Sequence, residues 1–238
     1  MARRTSTVAG ATAVGVLGAL GLTGCVMEPA GPAETRDVDI TDVHAVELST
    51  SGELTVRRGD SPSLRVTAGS RTHDRLVSEV RDGVLVLDAR GGVGARTGEI
   101  RYELVLGELS DLAVSGSGDV RGHGVTGADL RVLVEGSGDV ELGGLDATSV
   151  RVSVEGSGDV DLSGSAASVA VGIEGSGDVD LGDLRAQEAD VSIEGSGEVD
   201  VDVLRRLAVE ISGSGTVTYS GDPEVSRQIS GSGDVRRD

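Results

Sequence analysis

The residues best placed to do chemistry are acids that recur at a fixed interval. Gly-Ser-Gly occurs seven times, with its first glycine at 116, 136, 156, 175, 195, 213 and 231, and five of the copies continue Asp-Val. Glu198 and Thr216 stand in place of the aspartate in the other two. If each interval of 18–20 residues is one structural unit, equivalent side chains fall into columns. One column holds Asp119, Asp139, Asp159, Asp178 and Glu198. A second holds Glu135, Glu155, Glu174 and Glu194, and a third Glu141, Asp161, Asp180 and Asp200. Two carboxylates ~4.8 Å apart repel by about 0.9 kcal/mol at the dielectric of water. A ladder of them needs an offset: divalent cations, protonation of alternate members, splayed rotamers or salt. Oxygen-only ligands favour Ca²⁺. The column from Asp119 to Glu198 is therefore a candidate for a weak, multi-site Ca²⁺ strip. The competing reading is a solvated acidic face that keeps the protein soluble and unaggregated.

Other chemistries fit less well. In the calcium-binding nonapeptide Gly-Gly-x-Gly-x-Asp the acid stands two places after the last glycine. Here Asp139 follows Gly138 directly and Val140 holds that place, so the ligand faces the wrong side of a strand. His44, His73 and His123 lack metal-ligand spacing, and there is no Gly-x-Ser-x-Gly elbow. No lysine follows the Gly-Ser-Gly copies, so they are not phosphate loops. Coils of 18–20 residues leave no room for the long loops that build clefts in polysaccharide-cleaving solenoids. The sequence predicts no catalysis and no firmly assigned metal or cofactor.

The elements that must position the columns can be read from parity. Leu130, Val132, Val134, Gly136, Gly138, Val140 and Leu142 share one parity; Arg131, Leu133, Glu135, Ser137, Asp139 and Glu141 share the other. Alternation with period two means strands with one buried face. The glycines fall on the inward parity, where the chain bends and a side chain would meet the neighbouring unit. Second turns are expected at Gly143-Gly144 and Gly164-Ser165. A unit this short cannot bury its own apolar edge, but a stack of units can. The fold class predicted is all-β: a right-handed parallel β-helix or solenoid with coils of 18–20 residues and a less regular, β-rich N-terminal cap. A β-sandwich is the alternative, but it gives no reason for one tripeptide to recur seven times. Residues 38–110 read as the irregular half and 111–238 as the repeats. Arg227 takes the place of Val132 in the repeat frame, and Arg236, Arg237 and Asp238 follow. Charge at that end discourages end-to-end stacking.

Composition narrows the partners. Of 238 residues, 40 are acidic and 21 basic, every basic one an arginine, for a net charge of −19. That balance offers no footprint for nucleic acid. There is no Phe or Trp, so stacking platforms for bases or sugar rings are missing. A single cysteine excludes an intramolecular disulfide and a thiolate metal site.

That cysteine has a context. Arg3 and Arg4 precede an uncharged stretch, Val8 to Leu22, of 15 residues. This is shorter than the ~20 needed to span a bilayer and has the build of a secretory signal peptide. Leu22-Thr23-Gly24-Cys25 then resembles the bacterial lipobox. The resemblance implies cleavage before Cys25 and a diacylglyceryl thioether on its sulfur. The expected organisation is a lipoprotein signal peptide over 1–24, a flexible tether over 25–37 and one solenoid domain over 38–238. The mature chain would carry a net charge of −21.

Longer stretches are also similar to a known group. Tyr102-Glu103-Leu104-Val105-Leu106, then Leu109-Ser110-Asp111-Leu112-Ala113-Val114-Ser115-Gly116-Ser117-Gly118-Asp119-Val120, resemble the head GIN domain family, a secreted bacterial domain labelled an auto-transporter adhesin head by analogy and otherwise of unknown function. Leu54 to Asp60 and Gly83 to Leu87 resemble its N-terminal half. The likeness spans roughly 38–235 and implies a β-helix with no catalytic residues. That family's repeats often carry Asn after Gly-Ser-Gly, where this chain has Asp and no Asn anywhere. Together these readings predict a lipid-anchored, extracytoplasmic module on the cell membrane that acts through its surface in binding, adhesion or envelope architecture. Its partner would be an envelope protein or a glycan. The alternatives are an accessory or sensing subunit of an envelope complex and, less well supported, a glycan-processing enzyme.

Overall fold

The computed structural model describes residues 31–91, 98–124 and 126–238. The signal segment and Cys25 lie outside the described residues. The strands are β1 (Ala33–Val38), β2 (Ala45–Leu48), β3 (Glu53–Arg58), β4 (Ser63–Gly69), β5 (Leu76–Arg81), β6 (Val84–Ala89), β7 (Arg101–Leu106), β8 (Leu109–Gly116) and β9 (Asp119–His123). They continue with β10 (Thr126–Gly136), β11 (Val140–Gly156), β12 (Val160–Gly175), β13 (Asp178–Gly195), β14 (Glu198–Gly213), β15 (Thr216–Gly221), β16 (Glu224–Gly231) and β17 (Asp234–Arg237). One short helix, α1 (Ser70–His73), interrupts the strands of the N-terminal half. Among the described residues no helix is long and apolar enough to cross a membrane.

The repeats stack as parallel rungs, each paired residue for residue with the next. On the side that leads into the glycines, Val114, Val134, Val154, Ile173, Ile193, Ile211 and Ile229 form one inward ladder. On the side that leaves them, Val120, Val140, Val160, Val179, Val199, Val217 and Val235 form the other. The ladder residues are buried, except Ile229 of the last rung. Burying one such side chain is worth about 1.5–3 kcal/mol relative to leaving it in water, so each added rung hides the apolar edge of the one before it. The fold is thus a β-solenoid whose core is a set of aliphatic columns.

The expected second turns take another form. Gly143-Gly144 lies within β11 and Gly164-Ser165 within β12, as bulges where the register slips between Leu142 and Leu145 and between Asp161 and Gly164. A bulge bends the coil while the flanking pairs persist.

The N-terminal half joins the same stack out of chain order. β2 pairs with both β6 and β8, and β3 with both β7 and β9, all in parallel. The rung formed by β2 and β3 therefore sits between the β6–β7 rung and the β8–β9 rung. Leu48 and Leu87 extend the first ladder, and Leu54 and Tyr102 extend the second. Beyond β6 and β7 the pairing turns antiparallel: β5 covers β6, β4 covers β7 and β1 covers β4. Antiparallel strands thus cover the parallel edges of β6 and β7.

β1 also shortens the expected tether. Residues 33–37 were predicted to be flexible, yet they form a strand in register with β4, from Ala33 opposite Gly69 to Val38 opposite Leu64. The strand carries no apolar alternation because its side chains are exposed, apart from the partly covered Val38. Pairing to a free edge holds it, helped by Thr35–Thr67 (2.9 Å), Arg65–Asp37 (3.0 Å) and His73 Nε2 on the Glu34 carbonyl (2.8 Å).

Candidate functional site

The Gly-Ser-Gly corners lie in single file. The first glycine of each corner stacks on its counterpart, Gly116 to Gly136 to Gly156 to Gly175 to Gly195 to Gly213 to Gly231. The serine N–H donates to the first glycine's carbonyl one rung back, as from Ser137 to Gly116 at 2.8 Å and from Ser176 to Gly156 at 2.9 Å. Rungs approach too closely here for any side chain. A Cβ on Gly156, at φ +138°, would lie 2.3 Å from the Gly136 carbonyl oxygen, and one on Gly158 would lie 2.3 Å from that of Gly138.

Directly after the corner, the aspartate takes a structural part that its spacing alone does not reveal. The Asp119 carboxylate accepts the backbone N–H of Asp139 at 3.4 Å. Asp139 accepts that of Asp159 at 3.3 Å, Asp159 that of Asp178 at 3.2 Å and Asp178 that of Glu198 at 3.0 Å. Wherever an aspartate stands one rung back, it clasps the next rung. Where the preceding residue is Glu53, Glu198 or Thr216, the N–H turns to a glycine carbonyl instead: Asp119 to Gly52 (3.1 Å), Thr216 to Gly197 (3.1 Å) and Asp234 to Gly215 (3.0 Å). Glutamate is one methylene longer and threonine bears no carboxylate, so neither makes the clasp. The exceptions at Glu198 and Thr216 were visible in the sequence and were its only trace of this role.

The clasps answer the repulsion that motivated the Ca²⁺ strip. Each of these four carboxylates accepts a hydrogen bond from an N–H dipole, long at 3.0–3.4 Å and solvent-exposed, which offsets part of the repulsion. The structure brings Asp119, Asp139, Asp159, Asp178 and Glu198 into one column, as their spacing predicts. Among the described residues no three His, Cys, Asp or Glu side chains are grouped so as to hold one metal ion.

The neighbouring column differs. Glu141, Asp161, Asp180 and Asp200 are successive partners, with Arg121 before them and Thr218 then Arg236 after. Arg121 reaches both Glu53 (2.7 Å) and Glu141 (3.4 Å), and Arg236 reaches Glu198 (3.2 Å). A shallow groove of about 370 Å³ runs between the two acidic columns, lined by Asp139, Asp159 and Asp178 on one side and Glu141, Asp161 and Asp180 on the other. Within it the Asp161 carboxyl is pushed above the ordinary carboxylate value, first by burial and then by the charges of Asp180, Glu141 and Asp183.

The remaining candidates serve the fold. The His44 ring packs over Gly83, where a Cβ would lie 2.1 Å from its Cε1, and the His123 ring packs over Gly144 at 2.8 Å. His73 is bound to the Glu34 carbonyl. The Tyr102 hydroxyl, fully buried, receives a long bond from Thr50 Oγ1 at 3.5 Å, and burial raises its pKa. Arg227 lies opposite Val209, in the inward ladder as the repeat frame predicts. Its guanidinium crosses the last rung to the Val235 carbonyl at 3.4 Å.

The architecture has solved counterparts. A crystal structure described as a putative adhesin from Bacteroides fragilis matches with a TM-score of 0.77 at 22% identity, over 87% of this chain and 97% of that one. One described as a putative lipid binding protein from Parabacteroides distasonis matches with a TM-score of 0.70 at 25% identity, again over 87% and 97%. A putative adhesin from the same species gives 0.68 at 19% identity, over 87% and 98%. No protein of curated function shows a significant sequence match. Stacked parallel rungs, Gly-Ser-Gly corners and an interleaved N-terminal cap come together with a family model that matches residues 42–223, and on that match the chain belongs to the family described as "Putative auto-transporter adhesin, head GIN domain".

Proposed function

We propose that this protein is a lipid-anchored, extracytoplasmic surface module that works by binding, in adhesion or in envelope architecture, and not by catalysis. The observation that carries the reading is the shape of the repeats. Their outer faces are continuous parallel columns with a shallow groove, and their short corners bear no inserted loops. Such a surface suits a repetitive partner read rung by rung. The family's adhesin description supports it, as do two of the matching structures, and the lipid-binding description of the third fits a module that works next to a membrane. The anchor is the thioether at Cys25, set in Leu22-Thr23-Gly24-Cys25.

The test has two parts. Expressed in a bacterial host, the full chain should partition into the detergent phase and carry the mass of a diacylglyceryl group. Cys25→Ala should move it to the aqueous phase without changing its melting temperature. On spheroplasts, added protease should degrade it. An unmodified cysteine or a protease-shielded domain would remove the anchored, extracytoplasmic reading. Glycan arrays and in-cell crosslinking then separate the partner classes: intact glycan retained supports adhesion, one crosslinked envelope protein supports an accessory subunit, and cleaved glycan overturns the non-catalytic reading.

A further inference from the structure

The charge of this protein is not spread evenly along the stack. Residues 31–110 hold ten arginines and fourteen acids, a net −4. Residues 111–238 hold nine arginines and twenty-five acids, a net −16. The fold turns this division in sequence into a division in space. The described residues of this segment, with nine of those arginines and all fourteen acids, build the covered end and the two rungs next to it, and the Gly-Ser-Gly rungs then leave that end in single file. Six steps of ~4.8 Å carry the last corner ~29 Å beyond the first. The chain enters at the covered end, where the Pro32 carbonyl accepts the Ser70 N–H at 2.9 Å and β1 lies along β4.

We infer that the acidic repeats are a stand-off device: on an anionic phospholipid surface they turn the solenoid upright, with its N-terminal cap toward the bilayer and its last rung away from it. The inference rests on the anchored reading above, because only a chain held next to the lipid at its capped end has this choice of orientation. Lying flat would bring the acids of all seven repeat rungs against the lipid phosphates. Upright, only the cap lies close. At physiological ionic strength the field of the membrane decays over ~8 Å, much less than the length of the repeat stack, so the difference between the two postures is large. Acid on several sides of the rungs makes the effect independent of which side faces down. The Glu135 column lies on the strands leading into the corner, the Asp119 and Glu141 columns on the strands leaving it, and Asp146 and Asp183 sit near the bulges.

The test is energy transfer from a dye on Ser232→Cys, an exposed residue of the last corner, to an acceptor lipid. The lipidated chain is placed on vesicles of phosphatidylcholine alone and on vesicles of equal parts phosphatidylcholine and phosphatidylglycerol. At about 0.01 M salt, where the screening length is ~30 Å, transfer on the anionic vesicles should fall to about half that on the neutral ones. At about 1 M salt, where it is ~3 Å, the two should coincide. Replacing Glu135, Glu155, Glu174 and Glu194 together by Gln should restore part of the transfer on anionic vesicles at low salt. Equal transfer on both vesicle types at low salt, or a difference that salt leaves intact, overturns the inference. A chain that fails to float with vesicles of either kind overturns the anchored reading instead. The same measurement, with the chain held on nickel-chelating lipid by an N-terminal hexahistidine tag, then decides the stand-off inference by itself.

Discussion

Replacing Asp139, Asp159 and Asp178 together, once by Asn and once by Ala, separates the two things these carboxylates do. Each accepts the N–H of the next rung, at 3.3, 3.2 and 3.0 Å. Each also faces like charges one rung above and below. A hydrogen bond to a charged group contributes about 1.5–3 kcal/mol and a neutral one about 0.5–1.5, and exposure of these residues to solvent puts both near the low end. Two like charges at ~4.8 Å cost about 0.9 kcal/mol in water, roughly half of that once screened by physiological salt. Asn keeps an acceptor of the same reach and drops the charge, so the weaker bond and the lost repulsion nearly cancel. Ala drops both, for a net loss of about 1 kcal/mol per site. The triple Asn variant should therefore melt within about 3 °C of the parent, and the triple Ala variant about 6–12 °C lower. Raising salt should stabilise the parent more than the Asn variant, because only the parent keeps the repulsion within this column. Thermal unfolding followed by far-ultraviolet circular dichroism, at low and high salt, reads all of this. If the Asn variant falls as far as the Ala variant, charge and not acceptor geometry holds the rungs, and the clasp is refuted.

Three further outcomes follow from the same structure. Gly156→Ala should destabilise by about 3 kcal/mol or more, since its Cβ would meet the Gly136 carbonyl at 2.3 Å on a backbone at φ +138°; Gly172→Ala, with nothing within 4 Å, should be tolerated in the same melting experiment. Asp161 has a raised folded-state pKa, so the folded chain holds its proton more tightly than the unfolded one, and the stability this contributes is present at low pH and lost as pH rises through the folded value. Asp161→Asn should accordingly stabilise the protein at pH 7 and flatten the gain seen in the parent on acidification toward the ordinary carboxylate value, measured by denaturant unfolding across pH. Arg227→Val completes the inward ladder of the last rung next to Ile229, which is already 37% exposed; sedimentation velocity should show concentration-dependent association for that variant and none for Arg227→Lys, which keeps a charge on the edge.

The repeat half was legible because every rung states the same parity, and a parallel stack converts that parity into ladders without further information. The N-terminal half was legible as strands but not as an order. Val46 and Leu48, Leu85 and Leu87, and Leu112 and Val114 carry the same apolar alternation, so nothing in it says that β2 lies between β6 and β8. In the fold, β4 and β5 lie between β3 and β6 in the chain and return antiparallel along β7 and β6. β1 was hidden for another reason: with its side chains almost all in solvent, it is a strand by backbone pairing alone. The acidic columns were placed correctly by their spacing, but spacing cannot say where an Oδ1 atom points. The second turns were located and misread in kind, since a Gly pair marks a bulge as readily as a break.

The difference between the acidic columns bears on where a binding surface can change. The Asp119 column is tied into the backbone of the next rung, so its residues are constrained whatever the protein binds. Glu155, Glu174 and Glu194 face outward on the other strand, and among the described residues they form no hydrogen bond or ion pair that would require an acid there. Their stacked charges repel without a compensating bond, at roughly half of 0.9 kcal/mol per pair once screened, and they leave this face solvated. The Glu141 column is intermediate, because arginines bracket it at both ends and Asp161 is partly desolvated in the groove. Recognition of a partner is therefore free to vary in the Glu135 and Glu141 columns and is held fixed in the Asp119 column. Substitutions that alter binding without lowering the melting temperature should fall in the first two.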